Sequence, residues 1–224
     1  MENLSIYLGE FLTIATLHFL AVASPGPDFA VTTRYSISYG RSVGRWVALG
    51  IGTGIFLHVA YSVLGVALVI HRYQWVYGSL LLLGAGYLGW LGWQAIQAKP
   101  NTMPVNQTQA TGLAKAPQLP ASKAFRIGFL TNGLNVKATL FFLALFSTVI
   151  APSTPTMVKV GYGVYMAVAT AAWFLLLATL ITWPPFLNRL VAISHWIDRA
   201  MGVALIGLSL KLIYDWLVLI KIIL

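Results

Sequence analysis

The chain has 224 residues, 58% of them hydrophobic and only 8% charged, against about 25% charged in a soluble domain. That deficit excludes an ordinary soluble fold and points to an integral membrane protein. The absence of cysteine excludes disulfides, thiolate metal sites, iron–sulfur clusters and cysteine nucleophiles, and five acids leave little material for acid–base or metal chemistry. The net charge of +9 reads as basic loops beside anionic lipid rather than nucleic-acid binding, because the cations fall between apolar runs.

Six runs are long enough to span a bilayer: 6–34, 46–70, 75–98, 125–150, 158–183 and 198–221. The N-terminus lacks a positive n-region, so the first run reads as retained rather than cleaved. Alternation at period two is absent, and backbone groups in lipid must be satisfied within each segment, so the runs predict helices. The fold class is therefore all-α integral membrane, a single transport domain over 1–224. One polar stretch, 99–123, is rich in Pro, Gln, Thr and Asn and reads as a linker. It divides the chain into halves of three spans, 1–98 and 123–224. Three is odd, so the halves would face opposite ways, as in an inverted repeat of three plus three.

Basic residues set the orientation. Arg34, Arg41 and Arg45 fall in the 1–2 connection, Lys99, Lys115, Lys123 and Arg126 in the 3–4 connection, and Arg189 and Arg199 in the 5–6 connection. The opposite side has Arg72, Lys159 and Lys221. The positive-inside rule then puts both termini outside.

Two interruptions stand out. Ser24-Pro25-Gly26-Pro27-Asp28 breaks the first span, and Asn132-Gly133-Leu134-Asn135-Val136-Lys137 breaks the fourth. Prolines remove backbone donors, and an ionised carboxylate costs roughly 2.5–3.5 kcal/mol at the bilayer centre. Ser24 is a suitable helix cap, which predicts a new half-helix from Ser24 with Asp28 in its first turn and free backbone donors at its tip. The plainer alternative is a span that ends at Ala23, followed by an amphipathic segment. Asn135 can cap a second half-helix with Lys137 in its first turn. A lysine there opposes the helix dipole, and Asp28 is the expected counter-charge. Snorkelling of Lys137 to the membrane face is the alternative.

Other features read as structural. Lys211 and Asp215 are spaced i, i+4 and predict a pair on one helix face. His18 and His58 predict packing or hydrogen bonding, with a proton relay as the sharper reading. Gly50 with Gly54, and Gly86 with Gly89, predict close helix packing. A dinucleotide fingerprint at 84–89 lacks a preceding strand and is discarded. No motif of a hydrolase, zinc protease or phosphate loop is present, so an enzyme is not expected.

These stretches resemble the LysE/RhtB amino-acid exporter family. The resemblance rests on Ser24-Pro25-Gly26-Pro27-Asp28, on Gly40-Arg41-Ser42-Val43-Gly44 entering a glycine-rich span, and on 129–137 followed by Phe141-Phe142. The closing segment from Gly202 to Leu212 also fits. One departure stands at Asn135-Val136-Lys137, where relatives usually have Asn-Pro-Lys. The missing proline predicts a softer kink. The resemblance implies export of amino acids or related metabolites across the bacterial inner membrane, driven by the proton gradient.

The combined expectation is a secondary exporter whose site lies between spans 1 and 4. Asp28, Pro25, Gly26, Pro27, Asn132, Asn135 and Lys137 form the expected substrate and proton site, with Ser24, Arg34, His18 and His58 in support. Asp28 is the one acid expected there, which favours a neutral amino acid, and the facing position in span 2 is Ile55. No cofactor and no metal are expected. The partners are a small-molecule substrate and membrane lipid, with room for a homo-oligomer. The alternatives are an exporter of another cationic or toxic metabolite and a non-transporting membrane scaffold.

Overall fold

The computed structural model describes residues 2–72, 74–99, 119–151, 153–181 and 183–223. Residues 100–118, with most of the expected linker and its Lys115, lie outside the described residues. The elements are α1 (Glu2–Ala23), α2 (Pro27–Tyr39), α3 (Arg41–Arg72), α4 (Gln74–Ile96), α5 (Ala121–Gly133), α6 (Val136–Thr148), α7 (Thr156–Leu180) and α8 (Pro184–Ile223). Five helices are long and apolar enough to cross a membrane. The count is six when α5 and α6, bent by 56° at their junction, are taken as one span.

The first expected run, 6–34, is two helices. Ser24 makes the last bond of α1, from its N–H to the Leu20 carbonyl at 3.0 Å. Pro25 and Pro27 then offer no N–H, so the ladder cannot continue. Ser5–Ala23 is by itself long enough to cross. The new helix starts at Pro27 with Gly26 as its cap, not at Ser24. Proline at the first helical position loses nothing, since that N–H has no partner in a helix. Helix α2 buries Thr32 and Ser36, and Gly40, at φ +89°, turns the chain directly into α3.

Arg189 and Arg199, expected in a connection, stand on α8. Helix α7 ends at Leu180, and Pro184 opens a 40-residue helix. Proline in a first turn is compatible with the helix, so it does not mark a long loop there.

Helix α3 is the hub. It packs along α5 and α7 and beside α2, while α4 packs along α8. The α3–α5 crossing is close enough to require glycine. A Cβ at Gly50 would lie 2.0 Å from the Phe125 carbonyl oxygen, and one at Gly128 would lie 2.0 Å from that of Val47. Gly54 lies against the Asn132 side chain, at 2.7 Å from such a Cβ to Oδ1. The packing expected of Gly50 and Gly54 is therefore present. Gly86 has open space beside it, so it does not serve that purpose, and Gly89 faces Ser209. The α4–α8 approach falls instead at Gly92 and Gly202, each under the other's carbonyl.

Two apolar clusters fill the interior. One gathers Ile14, Phe141, Phe142, Leu145, Met166, Met201 and Leu205. The other gathers Val47, Ile51, Phe174, Leu177 and Ile181. Phe19, Leu83, Trp93, Val168 and Val203 are exposed on the outside, as lipid-facing residues are.

Candidate functional site

Two helix beginnings meet in the interior. The α5 ladder closes with the Leu134 N–H on the Leu130 carbonyl, and the Asn135 N–H bonds the Asn132 carbonyl at 2.9 Å. Asn135 Oδ1 then accepts from the backbone N–H groups of Lys137 (3.1 Å) and Ala138 (3.4 Å). This is the expected cap, and it forms the bend without proline. The amide end of the same side chain donates to Asp28 Oδ2 at 3.4 Å. Asn132 donates to the same oxygen at 2.9 Å. So α5, the α5–α6 junction and the first turn of α2 converge on one carboxylate oxygen.

The other oxygen, Asp28 Oδ1, is buried with no protein partner, and so is Asn132 Oδ1. Both residues line a small cavity that is partly open to the outside. Lys137, Gly26 and His18 share its wall, with Ile55, Phe142 and Phe174 on the apolar side. The site thus offers two unpaired acceptors, one ammonium donor and the tip of a helix.

Lys137 does not pair directly with Asp28 among the described residues. Its Nζ donates to Ser24 Oγ at 3.1 Å, and Ser24 Oγ donates to Asp198 Oδ1 at 2.9 Å. The acid joined to Lys137 is therefore Asp198 on α8, through one hydroxyl, and not the expected Asp28. Asp28 is not the one acid near the site. Asp198 has a faint trace in sequence as one of five acids, standing at the edge of an apolar run.

The supporting residues separate. Ser24 and His18 line the cavity. His18 is 2% exposed, and its Nε2 lies 3.0 Å from Thr170 Oγ1. His58 is fully buried, donates Nε2–H to the Asn132 carbonyl at 2.9 Å and accepts at Nδ1 from the Tyr61 hydroxyl. It stacks on Phe142 and fixes Asn132 from behind. Arg34 is exposed on α2, away from the cavity walls. Pro25 lines a larger neighbouring cavity with Ser24, Gly26, Pro27, Asn135 and Lys137. The Lys211–Asp215 pair forms as the spacing predicts.

Glu10 was not anticipated at all. It is 8% exposed, and its carboxylate accepts from the Ala151 N–H and Thr154 Oγ1, each at 2.8 Å. The Tyr162 hydroxyl lies 3.1 Å from its second oxygen and 3.0 Å from the Tyr7 carbonyl. Among the described residues, no three His, Asp or Glu side chains gather in a way that could hold a metal.

A chain of membrane-crossing helices in which one broken span and the start of α2 meet around a cavity with charged residues in its wall fits the class of membrane transporters. Residues 19–216 match the LysE type translocator family, and the chain belongs to that family. It is a multi-pass membrane transporter and not an enzyme. It is 31% identical over 206 residues to the threonine efflux protein of Escherichia coli strain K12, covering 91% of this chain and 97% of that one. The threonine efflux protein of Salmonella typhi is 28% identical over 203 residues, with the same coverage. The leucine efflux protein of Klebsiella pneumoniae is 26% identical over 201 residues, covering 89% and 90%. No solved structure matches the chain.

Proposed function

We propose that the protein exports neutral amino acids from the cytoplasm across the bacterial inner membrane, coupled to the proton gradient. The observation that carries this reading is the Asp28 carboxylate. One oxygen is held by Asn132 and Asn135, the other is buried without a partner, and the residue lines a cavity shared with Lys137. A zwitterion fits such a set. Its ammonium takes Asp28 Oδ1 and Asn132 Oδ1, which lack donors. Its carboxylate takes Lys137 Nζ beside the first turn of α6. The side chain then meets Ile55, Phe142 and Phe174, which suit an apolar or small neutral group better than a cation. The efflux of threonine and leucine by relatives agrees with this class.

Coupling uses the same carboxylate. A proton on Asp28 removes the charge that holds the ammonium, so a bound proton and a bound substrate exclude one another. Both termini lie outside in this reading, with the Lys99 end of α4 toward the cytoplasm. The two interruptions are counterparts in an inverted repeat of 1–98 and 123–224.

The test is efflux of L-leucine and L-threonine from loaded cells or vesicles carrying Asp28→Asn. Loss of gradient-driven efflux, with normal protein in the membrane, is expected. Undiminished efflux removes Asp28 from the mechanism.

A further inference from the structure

A second cavity lies behind the first. It is roomier, opens more widely, and is walled by Tyr87 and Gln94 of α4, Ala98 just past it and Asp198 of α8. The two cavities share Ser24, Gly26, Pro27, Asn135 and Lys137 as a common wall. Asp28 lines only the inner one and Asp198 only the outer. Lys137 therefore stands between two carboxylates, each on its own side.

The outer cavity reaches the end of α4. Ala98 lines it, and Arg199 Nε donates to the Ala98 carbonyl at 3.2 Å, fixing α8 to that end. Asp198 also lines a smaller cavity beyond, together with Lys99. Asp198 thus faces the side from which the proposed export begins. Gly26 keeps the wall thin. A Cβ there would lie 3.9 Å from Lys137 Nζ, with little else near it.

One hydroxyl fills the space between the outer charges. Ser24 Oγ accepts from Lys137 at 3.1 Å and donates to Asp198 at 2.9 Å. A zwitterion offers the same two contacts more strongly, since its carboxylate accepts from Lys137 and its ammonium donates to Asp198. Both of its charges would be matched without breaking any bond of the inner site.

We propose that Asp198 and Lys137 form an entry station for the amino-acid zwitterion, distinct from the inner station at Asp28. This rests on the export reading above. The substrate displaces Ser24 from both partners, keeps its carboxylate on Lys137, and passes its ammonium past Gly26 from Asp198 to Asp28. Two carboxylates around one lysine make transfer a shift of one end of the substrate rather than a full release. The station is a binding site on one membrane face only.

That asymmetry is what the experiment reads. Uptake of radiolabelled L-leucine into everted vesicles gives the KM at the cytoplasmic face. Counterflow in right-side-out vesicles gives it at the opposite face. Asp198→Asn raises the cytoplasmic-face KM about tenfold, the scale of one lost charged hydrogen bond, and leaves the opposite-face KM unchanged. Equal changes at both faces, or none at the cytoplasmic face, overturn the proposal. Ser24→Ala, which removes the competing hydroxyl, lowers the cytoplasmic-face KM. An increase there overturns the proposal, and this variant decides the matter if Asp198→Asn does not assemble. Asp28→Asn measured alongside separates the two readings. If it transports L-leucine normally, the export site is wrong. If it fails while Asp198→Asn and Ser24→Ala behave as wild type, only the entry station is wrong.

Discussion

Two buried carboxylates flank α1, and they are used in opposite ways. Glu10, within the helix, has both oxygens engaged by groups from the 149–155 connection and α7. Asp28, just past its end, has one oxygen held twice and the other buried without a partner. A buried acceptor without a donor costs about 1–3 kcal/mol, so a fold keeps one only where something else recovers that energy. Glu10 has no such debt and ties three parts of the chain together. Asp28 carries one, beside a cavity whose wall it shares with Lys137. In a chain with so few acids, the number of unmet acceptors separates a staple from a site more sharply than burial does.

The contrast can be broken by neutralising each acid without changing its size. Asp28→Asn keeps an acceptor for Asn132 and loses the charge. Efflux of L-leucine should fall about a hundredfold, in line with one charged hydrogen bond and the coupling group lost together, while the melting temperature in detergent holds. Glu10→Gln should do the reverse. Its amide oxygen can still accept from Ala151 and Thr154 and its NH₂ can donate to the Tyr162 hydroxyl, but the charge that strengthens these bonds is gone, costing about 1 kcal/mol of stability. A lower melting temperature is expected, with efflux per assembled molecule retained. Lost efflux at an unchanged melting temperature would make Glu10 part of the transport machinery and erase the distinction.

Asn135 sharpens the Asp28 side. Its Oδ1 caps α6 and its Nδ2 reaches Asp28, so it serves stability and site at once. Asn135→Ala should cost about 0.5–2 kcal/mol as a lost cap and also weaken efflux. Asn135→Asp restores the cap but sets a second carboxylate beside Asp28. Stability should recover and efflux should not. Recovery of both would mean that the contact with Asp28 is idle.

The sequence made the membrane spans legible because lipid demands long apolar runs with internal hydrogen bonding. It made the two interruptions legible because proline, glycine, Asn135 and a lone acid have local meanings that need no tertiary context. Helix α2 was less visible. Its buried residues Thr32 and Ser36 are polar, and Ser36 satisfies itself on the Thr32 carbonyl at 2.7 Å, so no apolar stripe announced it. Asp198 was out of reach for a different reason. Its partner Ser24 is 174 residues away, and only the packing of α8 brings them together. Glu10 sits in an apolar run with donors drawn from more than 140 residues along the chain. Pairings of that kind leave no local pattern.

The smallest effect comes from the third way a carboxylate is used. Asp215 pairs with Lys211 one turn earlier on α8, and the lysine side chain is 47% exposed. Lys211 also lies 5.5 Å over the Tyr214 ring. All three residues belong to one helix, so the pair forms from local geometry alone and holds no other element in place. Its lysine is long enough to place its charge at the membrane interface, and the exposed pair is screened there. Lys211→Met should therefore change stability by less than about 1 kcal/mol and leave efflux at wild-type rates. A loss of several degrees in melting temperature would show that Asp215 needs its partner as Glu10 needs its donors, and that this surface is drier than its exposure implies. Exposure, unmet acceptors and full engagement would then no longer rank the acids of this chain, and Asp28 would stand out only by its cavity.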